Sequence, residues 1–350
     1  MRRAVTVVAV VAVLLLVAGA GYRWYRDSEQ TEFTRAVAAA PAGAERLSWT
    51  DWAAVRRELG VSLSASSSAA ELTDFLDRGY DADLTSRSAL VQSAPVLQER
   101  FGFSPASAEW ELFSQSADGA VVTLRLPDDT DFDDLGDGLE ELGYARPSAP
   151  TGVWAAGPDG LSAISAELTP ELGYVALDAD DHLLLTSDQL GYLETAVRAT
   201  TEDGDRVEGL AEVAEATGEP LSAAVYTGDY ACGALAMGQA DADDQAEAAQ
   251  LVTAAGTVDP YSAFAMSAQP DGHVRVVLAF ADDDQARTNA DSRSVLATGP
   301  AVGQGGDFAD RFSLASAEAN GSLVTLDLRP VAGQYVLSDL STGPVLFATC

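Results

Sequence analysis

Asp129, Asp131, Asp133, Asp137 and Glu140 stand at positions 1, 3, 5, 9 and 12 of one window. At that spacing the oxygen ligands of a calcium loop converge on a single hard cation. Two features depart from the template. Asp134 fills the sixth position, where glycine makes the sharp turn, and an alternating apolar pattern of strand type precedes the window where a helix should stand. The same acids also read as a cap and first helical turn, because carboxylates stabilise the unpaired N–H groups at a helix start. Asp282, Asp283 and Asp284 repeat the acidic run without the later ligands, which favours capping at both places. No cofactor is expected, and Ca2+ is the one candidate this spacing raises.

His182 and His273 each follow a hairpin turn with aspartates beside them: Asp180 and Asp181 for the first, Asp271 for the second. An imidazole and a carboxylate can share a zinc ion or relay a proton. Neither histidine has a second His or a Cys at ligand spacing, so both read as solvated turn residues. Trp49 and Trp52, three apart, have rings able to stack a sugar, but as anchors of a first helix they belong in the core. Gly-x-Ser-x-Gly, His-Glu-x-x-His and Walker motifs do not occur, and no Lys follows Gly303, Gly305 and Gly306 to build a phosphate cradle. Among 54 acidic residues, a carboxylate pair of the glycosidase kind means little by its presence alone.

The compartment is set by the first residues. Residues 4–22 are an almost unbroken apolar run with Arg2 and Arg3 before it and Arg23 and Arg26 after it. About 19 residues suffice for a helix to cross a bilayer core. Ala18 and Ala20 also fit a signal-peptide cleavage site, whereas Tyr22, Arg23, Trp24, Tyr25 and Arg26 are residues that hold a retained helix at headgroup level. The expectation is a single-pass membrane protein whose C-terminal part lies outside the cytoplasm, with secretion after cleavage as the alternative. There, Cys232 and Cys350, the only two cysteines, read as one disulfide. Every basic residue is Arg. Sixteen of them lie beyond Arg26, together with all 54 acids, a net charge of −38 within a chain total of −34. Such a surface repels nucleic acid and anionic headgroups, so neither is an expected partner of the exported part.

The elements that position these residues follow from period and punctuation. Residues 1–26 form the anchor or signal segment and 27–43 an Ala-rich stalk, followed by an extracytoplasmic region over 44–350. Its start, 44–105, is helical. A first helix over 48–60 carries Trp49, Trp52, Val55 and Leu59 on one face, and a second begins at the capping pair Ser68 and Glu71 with Leu72, Phe75 and Leu76 as its stripe. A third spans 94–100 and ends at Gly102. In a first repeat unit, 106–200, hairpins over 110–126 (turning at Asp118-Gly119) and 153–168 (Asp159-Gly160) bracket a helix over 135–142. A third hairpin, 174–185, runs into a helix capped by Thr186 and Gln189. An acidic helical insert, 201–258, holds helices over 207–216 and 243–255 and a strand over 223–226. In a second unit, 259–350, hairpins turning at Asp271-Gly272 and Asn320-Gly321 bracket a helix over 285–296, and a last strand is expected over 345–348. The pattern predicts an α+β class: antiparallel sheets from a duplicated ββαββ unit, with helices on one side, preceded by a transmembrane helix.

The apolar N-terminal run, Trp49-Thr50-Asp51-Trp52, and Gly102-Phe103-Ser104-Pro105 leading to Trp110 together resemble uncharacterised membrane-anchored cell-envelope proteins of actinobacteria. The resemblance implies an envelope location and no activity. The expected function is therefore that of a non-enzymatic, membrane-anchored module binding an envelope protein or small ligand. The alternatives are a tethered or secreted carrier of a cation or small apolar molecule and, ranked last, a carboxylate-dependent hydrolase.

Overall fold

A computed structural model describes residues 30–149, 152–157, 159–201 and 209–350. The expected membrane helix over 4–22 lies outside that set. Among the described residues no helix is long and apolar enough to cross a membrane.

In chain order, α1 (Glu32–Ala38) precedes β1 (Arg46–Thr50). Then come α2 (Trp52–Glu58), α3 (Ala69–Asp81) and a short helix, Ala94–Val96, that widens into a π turn over Leu97–Phe101. The hairpin β2 (Trp110–Ser116) and β3 (Gly119–Arg125) leads through α4 (Phe132–Glu141) and β4 (Val153–Ala155) to β5 (Tyr174–Asp178), β6 (Leu183–Ser187) and α5 (Leu190–Thr201). The second half runs α6 (Leu210–Thr217), β7 (Ser222–Thr227), α7 (Ala242–Ala255), β8 (Ala263–Ala268), β9 (Val274–Ala279), α8 (Asp283–Leu296), β10 (Phe312–Asn320), β11 (Leu323–Pro330) and α9 (Val336–Thr342). The class is α+β. All these strands join one antiparallel sheet in the order β10-β11-β9-β8-β7-β1-β2-β3-β6-β5-β4.

β1 and β7 lie side by side at the centre, with Ser48 opposite Ala224. Outward from each, the pairing follows the same rule: a hairpin, then a second hairpin whose returning strand pairs with the first hairpin's outer strand. On one side the register runs Ser48, Phe113, Val122, Thr186, Val175. On the other it runs Ala224, Met266, Val276, Leu326, Ala317.

Helices cover both faces of this sheet, not one. The central strands carry apolar side chains on either side, Ala223 and Val225 alternating with Ala224 and Tyr226, so each face needs a cover. The larger cluster joins Val122, Leu124, Phe264, Met266, Val276 and Leu326 to residues of α2, α3, α4, α8 and α9. On the opposite face, Phe33, Ala36 and Val37 of α1 and Leu210, Val213 and Ala214 of α6 pack on Leu47, Trp49, Leu112 and Val225. Tyr192, Leu193 and Ala196 of α5 cover Val121, Ala176 and Leu185. The stretch expected as a stalk is therefore, from Glu32 to Ala38, part of the core.

Several local expectations shift with the fold. The stretch before Asp51 is strand β1, because Asp51 caps α2 through Ala54 N–H at 2.7 Å and the helix starts there. Trp49 and Trp52 consequently point to opposite sides of the sheet. Residues 160–164 are helical and β4 pairs with β5 instead, since Leu161, Ile164 and Leu168 recur at helical spacing against the core. Thr186 belongs to β6, not to a helix cap, and Leu346–Ala348 is a buried 3-10 turn, not a strand. The Ser68–Glu71 capping box and the buried Leu72, Phe75 and Leu76 stand as expected.

Candidate functional site

The acidic run before α4 is divided between two jobs. Asp131 accepts from the N–H groups of Asp133 and Asp134, at 3.0 and 3.1 Å, and so caps the helix. Asp137 and Glu140 both turn to Arg146: Nε of Arg146 donates to Glu140 Oε2 at 2.8 Å, and its Nη2 bonds Asp137. The guanidinium also lies 4.9 Å from the Trp154 ring centroid, a packing that fixes its direction. Asp129, Asp131, Asp133, Asp137 and Glu140 therefore do not converge. Among the described residues, no group of three or more His, Cys, Asp or Glu is placed to hold a metal ion. Asp282 repeats the capping, accepting from the N–H groups of Asp284 and Gln285 at 3.0 and 2.9 Å.

Two of the five acids share one concave site. Asp129 and Asp131, with Asp134, line a cleft of about 600 Å³ whose other walls include Arg56, Arg100 and Phe103. Its floor is set by Gly102, which closes the π turn at φ +76° and lies so near Leu135 that a Cβ would stand 3.3 Å from that side chain. Arg56 is fixed in the wall by donating from Nη1 to the carbonyls of Pro105 and Ala108, at 3.1 and 2.8 Å. Burial draws its pKa down, against the opposing pull of Glu109 and Asp51. The cleft is thus rimmed by both charges over an apolar patch, an arrangement that orients a polar or charged partner.

The histidines lie in different halves. His182, at φ +52° in the β5–β6 turn, sets its ring edge-on to Phe132 with centroids 5.8 Å apart. His273, beyond the β8–β9 turn, sits between Asp271 and Arg329. Arg329 Nε donates to its Nε2 at 3.2 Å, and its Nδ1 lies 3.3 Å from Asp271 Oδ2. The two cysteines do meet: Cys232 and Cys350 form a disulfide, Cα atoms 5.7 Å apart.

The most perturbed acid was not singled out by sequence pattern. Glu111 on β2 is 1% exposed. It accepts from Trp52 Nε1 (3.1 Å), Ser88 Oγ (2.7 Å) and Ala89 N–H (2.7 Å). Burial outweighs these bonds and pushes its pKa up to about 7. A charged residue between Trp110 and Leu112, in the apolar first half of the strand, was the available signal. Sealed in the core, Glu111 holds α2 and the loop after α3 onto the sheet and faces no substrate.

Compared with known proteins, the chain matches no family model and no curated sequence. A solved structure, crystal form I of TP0453, aligns over 89% of this chain and 97% of its own, with a TM-score of 0.40 and 8% identity.

Proposed function

We propose that this chain is a non-enzymatic binding module held outside the cytoplasm by its N-terminal apolar segment, and that it engages an envelope partner at the cleft beside α4. The observation that carries the reading is that cleft, where Arg56, Arg100, Asp129 and Asp131 surround Phe103. The Cys232–Cys350 bridge supports an oxidising compartment, where such bonds persist.

The two halves of the sheet are read as copies of one ancestral unit longer than ββαββ. Their matching registers support this, and so does the central pairing of β1 with β7. On this reading the helical stretch before β8 is the counterpart of the helices before β2. The halves differ where the cleft lies: six residues link β3 to α4, but three link β9 to α8. The longer linker supplies Asp129 and Asp131, so the binding site is a feature of one copy.

The alternatives fit less well. An apolar cargo needs space between sheet and helices, and that layer is filled by one continuous cluster of buried side chains. A carboxylate hydrolase needs a catalytic acid raised by burial and open to substrate. Here the strongly raised carboxyl is the sealed Glu111, whereas Asp129, Asp131 and Asp134 at the cleft are exposed.

The test uses the full chain in its native membrane. A photo-crosslinking residue at Thr130 should give one discrete adduct in intact cells, and the same residue at Glu318, far along the sheet, should not. Equal or absent labelling at both positions would overturn the cleft. Location is read separately: protease added outside intact cells should degrade the body, and both sulfurs should resist thiol reagents. Protection of the body together with free thiols would refute export.

A further inference from the structure

A second polar site lies at the centre of the sheet, away from the cleft. Arg46 opens β1 and stands opposite Gln115 on β2 and Tyr226 on β7. Arg87, in the loop after α3, comes within hydrogen-bonding reach of the Tyr226 hydroxyl. The Nε atoms of Arg46 and Arg87 are both buried without a hydrogen-bond partner, as is Gln115 Oε1. Unpaired buried donors of this kind cost stability unless something fills them.

Among the described arginines, these two are the ones with a buried nitrogen lacking a hydrogen-bond partner. The chain has 54 acids, and Arg35, Arg78, Arg125, Arg146, Arg275, Arg287 and Arg311 each reach a carboxylate. Neither Arg46 nor Arg87 forms such a pair among the described residues. Asp83 is the acid within electrostatic range of Arg87, but its carboxylate is engaged by the N–H groups of Leu337 and Ser338, at 2.6 and 3.1 Å, at the start of α9. Two like charges are therefore held close together, and both burial and Arg46 weaken the hold of Arg87 on its proton. Beside them Tyr230 stacks parallel on Tyr226, 3° between planes and 5.8 Å between centroids, giving one apolar wall. Arg46, Arg87, Gln115 and Tyr230 each keep part of their surface in solvent, so the site borders solvent while the two Nε atoms and Gln115 Oε1 lie covered beneath it.

We propose that Arg46 and Arg87 form a binding site for a small oxyanion, the carboxylate or phosphate end of a soluble molecule. The planar guanidinium fork matches either group through paired charge-assisted hydrogen bonds. A small turn of the two side chains uncovers the orphaned Nε–H donors, and an oxyanion bound there satisfies them and removes the repulsion between the cations. The chain's overall negative charge does not forbid this, since charges more than about 10 Å away are largely screened at 0.1 M salt. The site does not depend on the cleft proposal.

The test is calorimetric titration of the disulfide-bonded chain with inorganic phosphate and, separately, with succinate, at constant ionic strength set by chloride. At least one probe should bind saturably at one site, and the stronger of the two identifies the ligand class. Arg46→Gln and Arg87→Gln should each weaken binding about 10-fold or more. Arg87→Lys, which keeps the charge and loses the fork, should fall between wild type and Arg87→Gln, and Arg287→Gln, at an exposed position of α8, should bind as wild type. Absence of saturable heat with both probes, or binding unchanged in both Gln variants, would overturn the site. Should a Gln variant not fold, the wild-type Arg Nε–H resonances decide: two must shift with the probe, and none shifting refutes the proposal.

Discussion

Glu111→Gln isolates what a sealed carboxyl does to stability. In the unfolded chain Glu111 titrates near its ordinary 4.5, and in the folded chain near 7. Between those values the native state holds a proton that the unfolded state has released. Stability therefore falls as pH rises through this window: the contribution is fully present below about 4.5 and gone above about 7. At about 1.4 kcal/mol per pH unit, the interval corresponds to about 3 kcal/mol. Glutamine has no such titration. It also places an NH2 group against one of three donors, Trp52 Nε1, Ser88 Oγ or Ala89 N–H, at a cost of about 1 to 3 kcal/mol that does not vary with pH. The assay is urea unfolding of both proteins, disulfide intact, from pH 4 to 8. The many other carboxylates titrate alike in both, so the wild-type minus variant difference reports Glu111 alone. Wild type should be the more stable at pH 4.5 by about 1 to 3 kcal/mol, and that advantage should shrink by about 3 kcal/mol by pH 7. A difference flat to within about 0.5 kcal/mol over the whole range would refute the reasoning, because it would mean the folded and unfolded pKa values coincide.

Three further outcomes follow from the same contacts. Cys350→Ser opens a link across 118 residues and should cost up to about 5 kcal/mol on the chain-entropy account; urea unfolding with and without reductant checks it, and a loss below about 1 kcal/mol would mean that the bridge constrains little. Arg293 is fully buried and donates to the carbonyls of Phe347, Thr349 and Asp259 at 2.6, 2.9 and 2.8 Å. Arg293→Met leaves those acceptors empty and should destabilise by about 3 to 5 kcal/mol in the same assay; a neutral result would show that they find other donors. Calcium titrated into the chain should give no stoichiometric heat from the acidic run before α4, because Arg146 and the α4 amides already engage three of its members. A one-site heat abolished by Asp131→Asn would contradict that.

Much of this molecule is decided locally. Hairpins such as β8–β9 and β10–β11 are legible because side chains alternate with period two and Asp271-Gly272 and Asn320-Gly321 suit tight turns. The Ser68–Glu71 box and the capping aspartates 131 and 282 are legible because a cap acts within three residues. The acids of the calcium-like spacing fail as a set for a reason no spacing reveals: Arg146, brought round by the chain after α4, takes two of them. Which face each helix covers is equally invisible. It depends on β1 meeting β7, a pairing between segments about 175 residues apart that turns both faces of the central strands into interior. That pairing sets Arg46 opposite Tyr226, beside Arg87. Sequence alone determined the tight turns and caps that start many of the strands and helices, since these act between neighbours along the chain, but not the starts of α1 and β1 or the states of residues 160–164 and 346–348. Tertiary structure alone decided which charges end up buried together, because burial is a property of layers packed across the whole chain.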